Sequence, residues 1–298
     1  MALAAGIAGA GAAPVRRLRY VSLTCADVAR AAAFYQSAFG FRQLVAERRS
    51  GPQFERLMGV NAGAERRVLA LGHESIELLQ FDHLGAPYPA GSVSSDLIFQ
   101  HFAIVVSDMT RAFERLSAIG GWHAISTEGP QRLPESAGGV TAYKFRDPEG
   151  HPLELLAFPA DAAPARWQGL PTSVSAPCVG IDHSAICVTD SARSIAFYAA
   201  LGLTRSAHSF NSGPAQARLD GVTEPQVQVT ALTPQQPTPH VELLCYRTAQ
   251  RYAAAAPTPR SNDIAATRLV FESEVVARGA ASLPCRLSDP DQHQLLIE

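Results

Sequence analysis

Two histidine and glutamate pairs carry the chemistry this sequence allows. His101 heads the run HFAIVVSD and Glu154 sits inside LELLAF; His183 heads HSAICVTD and Glu242 sits inside VELLCY. An ionised carboxylate within an apolar strand is costly unless something compensates it, and neither run supplies a basic neighbour of its own. A divalent cation would do so. Two His and two Glu make a borderline-to-hard donor set that suits one Zn, Mn, Co, Ni or Fe ion and leaves coordination positions open for a ligand when the ion takes five or six. A lone histidine is more often a hydrogen-bonded core residue, but two pairs at homologous positions weaken that simpler explanation.

Other residues are secondary candidates. His240 precedes Glu242 by two residues, so strand alternation puts both on one face; it is a general acid or base there, or a strand-end histidine facing water beside Pro239. Asn211 and Gln216 fall in a Gly/Pro loop, where they serve as hydrogen-bond partners of a hydroxylated substrate or as ordinary turn residues. Lys144 is the only lysine and hence the single Schiff-base candidate, though it reads more simply as a solvated or carboxylate-paired strand residue. His123, His151, His208 and His293 fall at turns and are expected at the surface, as is the Arg66-Arg67 pair.

The elements that must position these residues repeat. YVSLTCADVARAAAFYQSAFGF from Tyr20 and HSAICVTDSARSIAFYAALGL from His183 share an alternating strand, an Asp cap (Asp27, Asp190), an amphipathic helix holding Phe-Tyr, and a Gly stop (Gly40, Gly202). SGPQFERLMGV from Ser50 is copied as SGPAQARLDGV from Ser212. Each half divides again, with first strands beginning near 20, 101, 183 and 266. The homologous ligand positions of the other two modules are then Tyr20 with Glu77, and Ala266 with Leu296. The fourth module is shortened, with a brief helical stretch between AATRLVFES and RLSDPDQHQLLIE. The chain therefore reads as α+β: four βαβββ modules, the fourth truncated. Its expected divisions are a loose tail over 1–14, a first half over 15–158, an Ala/Pro-rich linker over 159–179 and a second half over 180–298.

In each first strand one face is bulky (Phe102, Ile104, Val106) and faces the helix, while the face bearing the histidine is lined by small residues such as Ala103 and Ala185. That small-residue face leaves room for a ligand. The closing strands are continuous apolar runs, as expected of strands covered on both faces.

Composition excludes several function classes. With 47% hydrophobic and 17% charged residues, the chain has ample material for cores, and its net charge of -2 offers no footprint for nucleic acid or an anionic membrane. The five cysteines form no CxxC pair, which points to a reducing, cytoplasmic setting. The arginines Arg16 and Arg17 follow the apolar opening, the wrong order for a secretory signal. No dinucleotide fingerprint, P-loop or GxSxG elbow occurs in a suitable context. The expected partner is a small-molecule substrate, and the expected state a monomer or homodimer.

On HFAIVVSD, HSAICVTD, the Phe197-Tyr198 and Leu201-Gly202 pairs and FRDPEGHPLELL from Phe145, the chain resembles the vicinal oxygen chelate superfamily, which includes glyoxalase I, extradiol dioxygenases and bleomycin-resistance proteins. SFNSGPAQARLDG and PHVELLCY look most like four-module cyclitol epimerases of the 2-epi-5-epi-valiolone type. The resemblance implies modules paired into two cup-shaped half-barrels. Pairing two with three gathers His101, Glu154, His183 and Glu242 in one cup and leaves the other almost stripped, with Glu77 tied up by protein hydrogen bonds or water; this crossed pairing is the simpler account. The implied activity is a metal-dependent epimerase or isomerase that removes a proton next to a carbonyl, with His240, Glu154 or Glu242 as base. Two other activities stay open: an Fe(II) ring-cleaving dioxygenase using Glu77, His101 and Glu154, and a binding protein without turnover.

Overall fold

The structure, a computed structural model, describes residues 14–169, 176–247, 258–273 and 284–298. Most of the tail, part of the linker and the helical stretch expected in the fourth module lie outside those residues. The first module contains β1 (Val15–Thr24), α1 (Val28–Phe39), β2 (Arg42–Arg49), α2 (Pro52–Met58), β3 (Ala64–Leu71) and β4 (Glu74–Phe81). The second contains β5 (Gln100–Val106), α3 (Met109–Ser117), β6 (His123–Ala124), β7 (Gln131–Arg132), β8 (Thr141–Arg146) and β9 (Pro152–Ala157). The third contains β10 (Cys178–Cys187), α4 (Ser191–Ala200), β11 (Thr204–Ser212), α5 (Pro214–Asp220), β12 (Gln226–Thr233) and β13 (His240–Tyr246). The fourth contributes β14 (Thr267–Ser273), β15 (Cys285–Ser288) and β16 (Gln294–Ile297).

The helices start and stop where local chemistry requires. Asp27 caps α1 by accepting from the amides of Ala29 and Arg30, and Gly40 ends it at φ 80°, a left-handed conformation that glycine adopts without penalty. Asp108 and Asp190 cap α3 and α4 in the same way. Asn211 and Gln216 depart from their expected loop: Asn211 lies in β11, and Gly213 followed by Pro214 opens a short helix, α5, that holds Gln216 and that Gly221 closes at φ 62°.

The strands form two sheets, in the orders β15-β16-β14-β1-β4-β3-β2 and β11-β12-β13-β10-β5-β9-β8-β6, with β7 beside β8. The first joins modules one and four and the second joins modules two and three, which is the crossed pairing. At each seam two first strands run antiparallel; in the second sheet His183 lies opposite Ala103 and Ala185 opposite His101. Each first strand also lies parallel to its module's closing strand, which sets Ala103 beside Glu154 and Ala185 beside Glu242. Histidines two residues away from these alanines share their face. The opposite faces, including Phe102, Ile104, Ile186 and Val188, pack in one core with α1 and α4 residues such as Tyr35 and Tyr198.

Two latches tie the cups together. Tyr35 on α1 donates its hydroxyl to Asp147 Oδ2 at 2.9 Å, and Asp147 also faces His151 Nδ1 at 2.9 Å. His151 Nε2 in turn lies 3.0 Å from the carbonyls of both Thr24 and Ile264. In the other half Tyr198 donates its hydroxyl to Asp289 Oδ2, the His293 amide donates to Asp289 Oδ1, and His293 Nε2 donates to the carbonyl of Cys187. The surface role expected for His151 and His293 is therefore wrong, because the Asp and His that flank each DPxx turn are buried at the joints between modules; His123 and His208 are exposed.

Candidate metal centre in the cup of modules two and three

A cavity of about 630 Å³ opens on the concave face of the second sheet, lined by both strand and loop residues. His101 Nε2 lies 2.8 Å from Glu154 Oε2, and His183 Nε2 lies 3.9 Å from that oxygen and 3.5 Å from Glu242 Oε2. The ligand atoms of His101, Glu154 and His183 all fall within 4.8 Å of one another. The four side chains proposed from sequence thus share one cluster, buried except for the half-buried Glu242 and positioned by β5, β9, β10 and β13.

His240 belongs to the same cluster, with Nε2 3.5 Å from Glu242 Oε1 and its ring centroid 5.4 Å from that of His183. Asn211 and Gln216 line the cavity, and their amide oxygens are buried without a hydrogen-bond partner. Glu77 lies in the other sheet, bonded to the Arg66 guanidinium, so a triad of Glu77, His101 and Glu154 is not brought together. Arg66 is buried by that pairing rather than solvated.

The counterpart of His101 in module four also needs correction. Ser22 pairs with Arg268 and Tyr20 with Val270, so the register puts Arg268, not Ala266, at the ligand position, while Leu296 beside Val270 matches Glu154. Arg268 is fully buried and donates to Ser22 Oγ, Thr24 Oγ1 and the Ser261 carbonyl. A permanent cation of the chain's own stands in that cup, whose remaining space is filled by Tyr20, Val68, Leu79, Val270 and Leu296.

The electrostatics of the candidate centre follow from packing carboxylates around imidazoles. Burial alone raises the pKa of Glu154, but the His101 hydrogen bond and the charges of Lys144 and His183 hold it down at about 2. Burial lowers His183, yet Glu242, Asp182 and Glu154 outweigh it and push it up to about 9. His101 is lowered, chiefly by burial. His183 Nε2 nonetheless has no hydrogen-bond partner, although it is buried and faces two carboxylates. An orphaned ring nitrogen among oxygen donors is the environment a divalent ion satisfies, so the residues present fit such an ion.

Sequence reasoning missed two sets of residues. Asp182 lines the cavity with Oδ2 3.1 Å from His183 Nδ1, because a register shift between Ile181 and His183 breaks the alternation that would put neighbours on opposite faces. Lys144 donates to Asp220 Oδ1 at 2.7 Å, and Gln216 and Tyr246 donate to Asp220 Oδ2. The lysine is buried and carboxylate-paired, but its partner lies 76 residues along the chain, beyond the reach of any local pattern.

Comparisons with known proteins agree with this architecture. Residues 17–155 match the family model described as the Glyoxalase/Bleomycin resistance protein/Dioxygenase superfamily. Glyoxalase I from Zea mays superposes with a TM-score of 0.59 at 17% identity, covering 95% of this chain and 92% of that one. A putative dioxygenase from Bacillus subtilis superposes with a TM-score of 0.56 at 10% identity, covering 96% and 86%. At such identities the likeness concerns the fold. No curated protein matches the chain. Among the described residues no helix is long and apolar enough to cross a membrane.

Proposed function

We propose that the chain, whose residues 17–155 match the Glyoxalase/Bleomycin resistance protein/Dioxygenase superfamily model, is a divalent-metal-dependent isomerase or epimerase of a small hydroxyketone, with a cyclitol ketone as the favoured substrate. The observation that carries the reading is the unpartnered Nε2 of His183, set between Glu154 and Glu242 beside His101. These four side chains would hold one ion, and all come from a single chain. Bound there, the ion would supply Lewis acidity to adjacent oxygens of the substrate and so raise the acidity of the carbon next to the carbonyl.

The chain's own groups then move the proton. His240, Glu242 and Glu154 lie within one cluster, and a base must stand within about 3 Å of the proton it takes. His240 is the favoured base because it touches Glu242 without being one of the four proposed ligands. Return of the proton to the opposite face epimerises the carbon; return to the neighbouring carbon isomerises the ketone. Asn211 and Gln216 present unpartnered amide oxygens to the cavity, which suit hydroxyl donors on the substrate.

The test is incubation of the metal-loaded protein in D₂O with a panel of cyclic and acyclic hydroxyketones. Metal-dependent incorporation of deuterium next to the carbonyl is expected. No exchange above the metal-free control, together with oxygen uptake and cleavage of a catechol, would replace the proton-transfer reading with a dioxygenase.

A further inference from the structure

The linker between the two halves of the chain reaches the candidate centre through one carboxylate. Arg166 Nη2 donates to Asp182 Oδ1 at 2.6 Å and Trp167 Nε1 donates to the same oxygen at 2.7 Å. The other oxygen, Oδ2, faces His183 Nδ1 at 3.1 Å. Asp182 is 4% exposed, so the carboxylate is held on both sides with little competition from water. Gly180 makes the approach possible: a Cβ there would stand 2.6 Å from Trp167 Cζ3, so only a residue without one lets the indole lie against β10 two residues before Asp182. Pro164 and Arg166 also line the cavity, making the linker part of its wall.

We propose that Asp182 is a positioning residue for the metal ligand His183, and that Arg166 and Trp167 fix Asp182 from the linker. A carboxylate accepts and cannot donate, so the contact requires a proton of His183 on Nδ1 and makes Nε2, directed at Glu154 and Glu242, the nitrogen that gives up its proton to a metal ion. That nitrogen is the one without a partner. Outer groups of this kind fix the tautomer and ring orientation of a ligating histidine, and their loss typically costs about 10–100-fold in metal affinity. The inference rests on the proposed metal centre and adds a new element to it: the segment joining the chain's halves sets the geometry of a ligand inside one cup.

Co²⁺ is the probe, because its visible absorption reports ligand geometry as well as occupancy. Asp182→Asn should weaken Co²⁺ binding by about 10–100-fold and alter the absorption envelope. Trp167→Phe keeps a ring over Gly180 but removes one donor to Asp182, and should shift the spectrum with a smaller loss of affinity; it decides the question should Asp182→Asn fail to fold. His183→Ala is the control for the centre itself and should abolish tight binding. If His183→Ala abolishes it while Asp182→Asn, or Trp167→Phe in its place, keeps wild-type affinity and spectrum, the positioning role is wrong and the metal centre stands. If His183→Ala binds Co²⁺ as the wild type does, the centre is wrong and the positioning role falls with it.

Discussion

Lys144 shows what burial does to a residue that carries chemistry in principle. Burial lowers its pKa, but Asp220 and Glu154 outweigh that effect and raise it, so the ammonium stays charged and its nitrogen has no free lone pair for imine formation. Its role is electrostatic. Removing one partner of a fully buried pair leaves the other uncompensated, so Lys144→Met should destabilise the protein by about 3–5 kcal/mol, while Lys144→Met with Asp220→Asn, which removes the charge but keeps an oxygen to accept from Gln216 and Tyr246, should recover much of that loss. Urea unfolding checks this, and a double variant no more stable than the single one would contradict the pairing account. The pair also illustrates where sequence stops being informative. His101, Glu154, His183 and Glu242 are legible because alternation and repetition place them, whereas Asp220 meets Lys144 only through the packing of α5 on β8. Arg268 escapes for a related reason: the shortened fourth module offers no length match by which to fix its register, and even spacing from the other modules points to Ala266, two residues too early.

At the scale of elements, the latch of Tyr35, Asp147 and His151 does the joining. His151 faces a carboxylate at Nδ1 and two carbonyls at Nε2, all acceptors, so both ring nitrogens donate and the imidazole is charged. Burial lowers the His151 pKa but Asp147 raises it above the ordinary value; Asp147, raised by burial, is brought below its ordinary value by His151 and Tyr35. The contribution of His151 is complete below about pH 6.5 and is lost as pH rises through its raised folded value, whereas that of Asp147 is present above about pH 3.9 and is lost as pH falls through its lowered one. The latch therefore stabilises most between about pH 4 and 6.5. His151→Gln should cost about 3 kcal/mol at pH 6 and distinctly less at pH 9, read as denaturation midpoints of wild type and variant. An equal gap at both values would show that the charge does not matter. The DPEG turn itself is plain in the sequence, but the burial of Asp147 and His151 at its two ends is not, since turns usually lie at the surface and these two residues meet another module.

At the scale of the whole molecule, duplication explains both what the chain keeps and what it has replaced. Four strand starts at nearly even spacing announce four modules, and the opposed faces of β5 and β10 announce a helix side and a ligand side. The order in which modules meet is a property of long-range pairing, and it follows only from asking which arrangement loses one site entirely. In the sheet of modules one and four, Arg66 compensates Glu77 and Arg268 adds a further positive charge, so no external cation is called for, and apolar side chains fill the space. In the sheet of modules two and three, three carboxylates and three histidines surround a cavity, and a ring nitrogen is left without a partner. The central claim is that one cup holds one divalent ion while the other holds none. Diffraction from crystals grown with Zn²⁺, recorded on both sides of the metal's absorption edge, tests it directly. The account predicts one anomalous peak per chain, about 2.0–2.2 Å from nitrogen or oxygen of His101, Glu154, His183 and Glu242. A peak at Glu77, or no peak among those four residues in a fully loaded crystal, would contradict it.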